Sequence, residues 1–202
     1  MIVRSALKGY CIEEVPTTLK PDGRTRRPHL RTWRDGARHL CFLLMFSPRW
    51  LFLYPGVALL ATGVITITAL FQGSVTIKGI GFDIHTYVAG CFFLLLGSQA
   101  ISFSIIARRF ATSHNLLPES ERFSYILDAL TFERIILGAL FIGLFGAAGF
   151  VWSLSKWAST GFGPLEYSTL LRFFILSMTL TAISLQSAFF AFFSAITEVP
   201  TQ

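Results

Sequence analysis

Charge is scarce in this chain. Asp, Glu, Lys and Arg make up 14% of its 202 residues, against 53% apolar residues. A soluble domain carries about 25% charged residues, so this composition excludes an ordinary soluble protein. The mean hydropathy of +0.61 points the same way. Acidic residues are missing from the middle of every apolar run, which argues against an ion-coupled transporter. Cysteine is rare. Cys11, Cys41 and Cys91 form no CxxC and no paired spacing, so they read as free thiols rather than a disulfide framework. Also absent are a glycine-rich phosphate loop, an Asp-x-Asp pair, a Ser-His-Asp set and an HExxH helix. Those absences exclude the usual sequence signatures of nucleotide binding and metal-assisted hydrolysis.

What the chain does have is a basic segment leading into membrane spans. Residues 1–50 hold 10 Lys and Arg against 4 Asp and Glu, and the remaining 152 residues balance at 7 and 7. The stretch Glu13–Trp50 alone holds 8 of the 17 Lys and Arg residues. Anionic lipid headgroups or phosphates suit such a segment better than nucleic acid does. Residues 1–10 fit a short helix ended by Gly9, with Arg4 and Lys8 one turn apart. They have no apolar core and no cleavage site, so the first span is expected to serve as the insertion signal. Cys11–Pro16 reads as a short strand, and Pro21-Asp22-Gly23 as a turn. An exposed basic loop follows, Arg24–Arg27. Over residues 30–46, Leu30, Trp33, Ala37, Leu40, Cys41 and Leu44 recur every three or four positions, with Arg31, Arg34 and Arg38 opposite. That is the pattern of a helix lying in the headgroup plane.

The fold class expected is all-α integral membrane, with four spans at 51–71, 84–107, 135–157 and 170–196. Pro48 breaks the preceding helix, and Trp50 and Tyr54 suit the interface. Gln72–Asp83, with Val75-Thr76-Ile77, reads as a small hairpin. Arg108-Arg109 reads as the stop of the second span. Between the second and third spans, Phe123, Ile126, Leu127 and Leu130 form a helical stripe that suits a second interfacial helix. Arg108, Arg109, Arg122 and Arg134 fall in this region, whereas the other two loops hold only Lys78 and Lys156. The positive-inside rule places the N-terminus, residues 108–134 and the C-terminus in the cytoplasm.

Arg24, Arg26, Arg27, His29, Arg31 and Arg34 are the candidate phosphate or lipid-headgroup site. The guanidinium fork matches phosphate oxygens, although a basic segment beside a membrane also serves as a plain anchor. Ala139, Gly143 and Ala147 lie four apart, a ladder of small residues for close helix packing. Gln99 and Gln186 suit bonds between helices, and Arg172 lies near enough to a helix end to snorkel. Asp83 and His85 are too few to make a metal site.

The run IEEVPTTL, then a turn, a basic loop, an amphipathic helix and SPRWLFLYPG resembles the end of a family 2 glycosyltransferase domain passing into its membrane region. The likeness is to the polyprenyl-phosphate (dolichol-phosphate) glucosyl- and mannosyltransferases of bacteria. It covers most of the chain, and residues 11–56 carry most of its specificity. It implies that residues 1–29 are the close of a GT-A catalytic domain with its basic loop. It further implies that 30–50 is an interfacial helix and 51–197 the membrane appendage. Such enzymes hold a nucleotide sugar through a metal bound at acidic residues, and a polyprenyl phosphate attacks the sugar. Arg24, Arg26, Arg27 and His29 match the mobile loop near the phosphates. Most of the sheet, the donor site and the metal site have no counterpart here. The chain is accordingly expected to be part of a longer enzyme or a separate membrane subunit, with Mg or Mn confined to a catalytic domain.

The expected partners are membrane lipids, polyprenyl phosphate, and a GT-A domain or a second copy of the chain; nucleic acid is not expected. The expected setting is the inner (plasma) membrane. The rival reading is a non-enzymatic scaffold, or a flippase-like carrier of lipid-linked sugar. A carrier needs polar residues along its spans, and here only Gln99, Gln186 and a few serines are available.

The charge asymmetry generates a test. Cysteines introduced by Ser74→Cys and Ser159→Cys are expected to react with an impermeant reagent outside intact cells, and Ser113→Cys is not. Labelling at position 113 overturns the orientation.

Overall fold

The computed structural model describes residues 5–6, 9–18, 32–45, 47–113, 117, 129–163 and 169–197. Helix α1 spans Thr32–Met45 and helix α2 spans Tyr54–Leu70. Strands β1, Val75–Ile77, and β2, Ile80–Phe82, form a hairpin before helix α3, Ile84–Ser113. Helices α4, Phe132–Ser159, and α5, Thr169–Ile196, complete the chain. Four helical stretches are long and apolar enough to cross a membrane: Arg49–Leu70, Ile84–Ser113, Phe132–Ser159 and Thr169–Ile196. The all-α membrane architecture read from composition is therefore the one observed.

Proline shapes the entry to the first span. Pro55 cannot donate a hydrogen bond, and its ring crowds the preceding turn. The turn Arg49–Leu53 accordingly widens to π-helical geometry, and the Tyr54 N–H reaches back to the Arg49 carbonyl. Pro48 itself is buried, and its carbonyl accepts from Ser104 Oγ at 3.4 Å. Trp50 and Tyr54 meet edge-on, 4.9 Å between centroids, and both are exposed as an interfacial pair should be. Exposure along α1 includes Trp33 on one side and Arg34 and Arg38 on the other. Arg38 Nη1 lies 4.0 Å from Asp35 Oδ1.

The expected hairpin is present. Val75 pairs with Phe82, Thr76 with Gly81 and Ile77 with Ile80. Lys78 and Gly79 both have positive φ, 49° and 81°, as a two-residue turn of this hand requires. The expected strand Cys11–Pro16 is not formed: residues 10–18 are exposed and carry no regular structure, because no partner strand lies beside them among the described residues. The stripe at Phe123–Leu127 lies outside the described residues.

Two antiparallel helix hairpins make the bundle. Helix α2 packs on α3 and α4 on α5, and the two hairpins join chiefly where α3 meets α5. Glycines bring the first pair together. Gly56 and Gly63 on α2 face Gly97 and Gly90 on α3, all four buried and seven residues apart on each helix. A Cβ on Gly63 would stand 2.6 Å from the Leu94 nitrogen and 2.7 Å from the Gly90 carbonyl oxygen. In the second hairpin Ala139, Gly143, Gly146 and Gly149 face α5, and Ser184 Oγ donates to the Ala139 carbonyl at 2.7 Å. Ala147, the third rung of the four-residue ladder, is exposed. Eight residues turn a helix about 80° past two full turns, so a strict spacing of four rotates out of the contact. Gly146 takes the place of Ala147.

Two expected features of charge differ in the structure. Arg108 and Arg109 do not end the helix. The helix continues to Ser113, and both are buried, each 8% exposed. Nor does Arg172 snorkel: it is 4% exposed, and its Nη2 lies 2.6 Å from Asp83 Oδ1, across the α3–α5 seam. At the far end Arg109 Nη1 donates to Ser194 Oγ at 2.6 Å and Nη2 to the Leu130 carbonyl at 2.7 Å. An arginine thus bridges α3 and α5 near each membrane surface. Beside Arg172, the seam packs Ile67, Leu70, Ile84, Tyr87 and Cys91 into an apolar cluster with Phe82, Leu171 and Ile175 against it.

Backbone cannot yield where a hydroxyl can. Gly63→Ala is expected to lower folded yield and melting temperature in detergent more than Gly143→Ala, whose Cβ would meet only Ser184. Overpacking of this kind costs about 1–3 kcal/mol. Ala147→Leu, on an exposed face, is expected to be neutral. Equal losses at 63 and 147 would contradict the packing. Separately, Asp83→Ala is expected to cost about 2 kcal/mol by leaving the Arg172 charge buried alone. Adding Arg172→Met should recover most of it; no recovery in that double-mutant cycle would show that the pair is idle.

Candidate functional site

Of the residues expected to hold phosphate, Arg24, Arg26, Arg27, His29 and Arg31 lie outside the described residues. Arg34 is exposed on α1, one turn from Arg38. The structure instead gathers charge where α2 begins and α3 ends. Arg49 comes from the wide turn, Arg108 and Arg109 from the last turns of α3, and Arg134 from the first turn of α4. Arg49 and Arg108 are close enough for their charges to act on each other. Arg134 Nη1 donates to the Ala129 carbonyl at 3.1 Å. Ile84 to Arg108 is 24 residues, about 36 Å of helix, slightly more than the roughly 30 Å hydrocarbon thickness. The cluster therefore stands at headgroup level. A guanidinium is able to pair with phosphate oxygens through two charge-assisted hydrogen bonds.

These arginines were legible only in part. A basic doublet after an apolar run is the usual mark of a span's end. The contrary signal is Ser104, Arg108 and Ala111, which keep a helical spacing of four and three and are all buried. A helix that keeps its buried face past two arginines has not ended there.

The opposite end holds a second polar group. Asp83 precedes α3, and its carbonyl accepts from the N–H groups of Thr86 and Tyr87, both at 3.0 Å. Tyr87 is fully buried. Among the described residues, the Tyr87 hydroxyl, the Arg172 Nε and the Gln186 Nε2 have no hydrogen-bond partner. Each such buried group costs about 1–3 kcal/mol. His85 is exposed and takes no part. Among the described residues no three of His, Cys, Asp and Glu come together as metal ligands, so no metal-dependent step is drawn from them. A cavity of about 230 Å³ lies beneath the hairpin, lined by Ile65, Leu70, Val75, Ile77 and Phe82 among others. Its lining is almost wholly apolar and suits hydrocarbon rather than a nucleotide.

Comparison with known proteins places this architecture. Residues 105–198 match the glycosyltransferase family 2 C-terminal transmembrane region. The match falls on the later spans, not on the residues 11–56 that carry the resemblance in the sequence. The chain is also 29% identical over 166 residues to the low-salt glycan biosynthesis hexosyltransferase Agl6 of Haloferax volcanii, an archaeon. That alignment covers 82% of this chain and 39% of the relative, so the chain spans about two fifths of the length of the curated relative it matches. No solved structure matches it. Residues 105–198, just under half of this four-span chain, are thus similar to the C-terminal membrane region of family 2 glycosyltransferases.

Proposed function

We propose that this chain holds a glycosyltransferase at the membrane and receives the phosphate of its lipid acceptor, a polyprenyl phosphate that takes a hexose from a nucleotide sugar. The observation that carries the reading is the gathering of Arg49, Arg108 and Arg109 at headgroup level, two of them buried at the end of an apolar helix. A buried arginine in a membrane helix is expensive and marks a functional site by default. The hexosyl group is suggested by the relative, a hexosyltransferase by name, and the membrane portion by the family match. An acceptor that is already an anion needs little help from a base; it needs its charge neutralised and its oxygen held in line. Arginines at the end of α3 and on the segment before α1 supply both. The cytoplasmic placement of this end follows from the charge asymmetry.

Within this arrangement the arginines have separate roles. Arg109 is engaged by Ser194 and Leu130 and holds α3, α4 and α5 in place. Arg49 and Arg108 are assigned to the phosphate from their place where α2 begins and α3 ends, and Arg26 and Arg27 from the sequence alone. The test is binding of polyprenyl phosphate to the full chain in nanodiscs of neutral lipid. Arg108→Lys, Arg26→Lys and Arg27→Lys are each expected to weaken it about tenfold, because lysine keeps the charge and loses the fork. Binding to an anionic phospholipid is expected to change little. Equal loss for both lipids on substitution by alanine, and no loss on substitution by lysine, would reduce these residues to membrane anchors.

A further inference from the structure

The polar residues of α5 are sorted between two neighbours. Ser177 and Ser184 face the glycines of α4. Arg172, Thr179 and Gln186 lie on another stripe, seven residues apart, and share one face to within about 40°. That stripe faces α3: Arg172 bonds Asp83, and the Cys91 thiol lies within hydrogen-bonding reach of Thr179. Ser194 ends the row against Arg109 of α3. From Arg172 to Ser194 is 22 residues, about 33 Å, so the row crosses the whole hydrocarbon layer.

Hydrogen-bonding groups without partners stand along this row, as one also does at Ser153 Oγ on α4. The Tyr87 hydroxyl and the Arg172 Nε are unpaired at one end among the described residues, and the Gln186 Nε2 is unpaired further along. Tyr87 is fully buried and Arg172 is 4% exposed. Phenylalanine, methionine or leucine would fill the same space without the penalty. All three unpaired groups are donors, so what satisfies them is rich in acceptor oxygens. Phosphate and sugar head groups are of that kind. Among the described residues the seam also lacks the close small-residue packing that each hairpin has. Each hairpin is locked internally by its small-residue contacts, whereas the hairpins join chiefly along α3 and α5.

We propose that the α3–α5 seam is a closed passage along which the phosphate-bearing head of a lipid crosses the bilayer, its hydrocarbon tail remaining among the lipids. The arginines at the two ends, Arg109 and Arg172, are its closures. Sugar transfer plays no part in the argument, so the proposal stands or falls apart from the function proposed above.

The test uses the full chain in phosphatidylcholine vesicles carrying a trace of head-labelled fluorescent phosphatidylglycerol and no nucleotide sugar. Dithionite added outside bleaches the label as it emerges. Bleaching is expected to pass beyond the outer-leaflet fraction faster than in protein-free vesicles. Tyr87→Phe and Gln186→Leu are expected to slow it about tenfold, the effect of one lost hydrogen bond. Both variants are expected to melt at the same or a higher temperature, since each removes an unpaired group. Ala147→Leu, outside the seam, is expected to leave the rate unchanged. A rate equal to that of protein-free vesicles overturns the proposal, as does an unchanged rate in both seam variants.

Discussion

The structure depends on a seam of four helix surfaces that should not hold by apolar packing alone. In hydrocarbon, lipid tails compete on equal terms with leucine, so helices associate through close packing and polar bonds. Within each hairpin, glycine supplies the close packing: Gly63 against Gly90, and Gly146 against Thr181. Between the hairpins no such glycine contact is found among the described residues, and polar bonds take over. Asp83–Arg172 closes one end of the α3–α5 seam and Arg109–Ser194 the other. Charged bonds of this kind persist only where removing them would strand a charge in a dry place.

That division gives the two ends of the bundle different characters. Rigid hairpins fix the distance between the two membrane surfaces. Arg49 and Arg108 stand where α2 begins and α3 ends, while Arg109 bonds Ser194 of α5 and the Leu130 carbonyl just before α4. Neighbouring arginines in the sequence thus do different work, set by which way each faces on the helix.

Most of the fold was readable because membrane spans are written in long apolar runs, and each of the four observed helices begins within three residues of its expected start. Ends were harder. Arg108 and Arg109 look like a stop because basic residues usually meet water after a span, and only the buried face through Ser104 and Ala111 tells otherwise. The ladder at Ala139 and Gly143 was legible as small residues, but the choice of Gly146 over Ala147 depends on helix rotation, which a spacing of four cannot follow. The heptad glycines of α2 and α3 were equally visible in the sequence and let those two backbones approach closely. The Asp83–Arg172 pair, 89 residues apart, was not legible, since no local pattern reports which distant helix end a charge will meet.

Distance measurements between spin labels test the seam most directly. Labels at the exposed positions Val64 of α2 and Leu144 of α4 report on the two hairpins, and labels at Val64 and Phe92 report within one. The wild-type chain should give a narrow distribution for both pairs. Replacing Arg109 and Arg172 together by alanine should broaden the distribution between hairpins and leave the one within a hairpin narrow. A distribution between hairpins that stays narrow in that variant would show that apolar packing, and not the two arginines, holds the halves together.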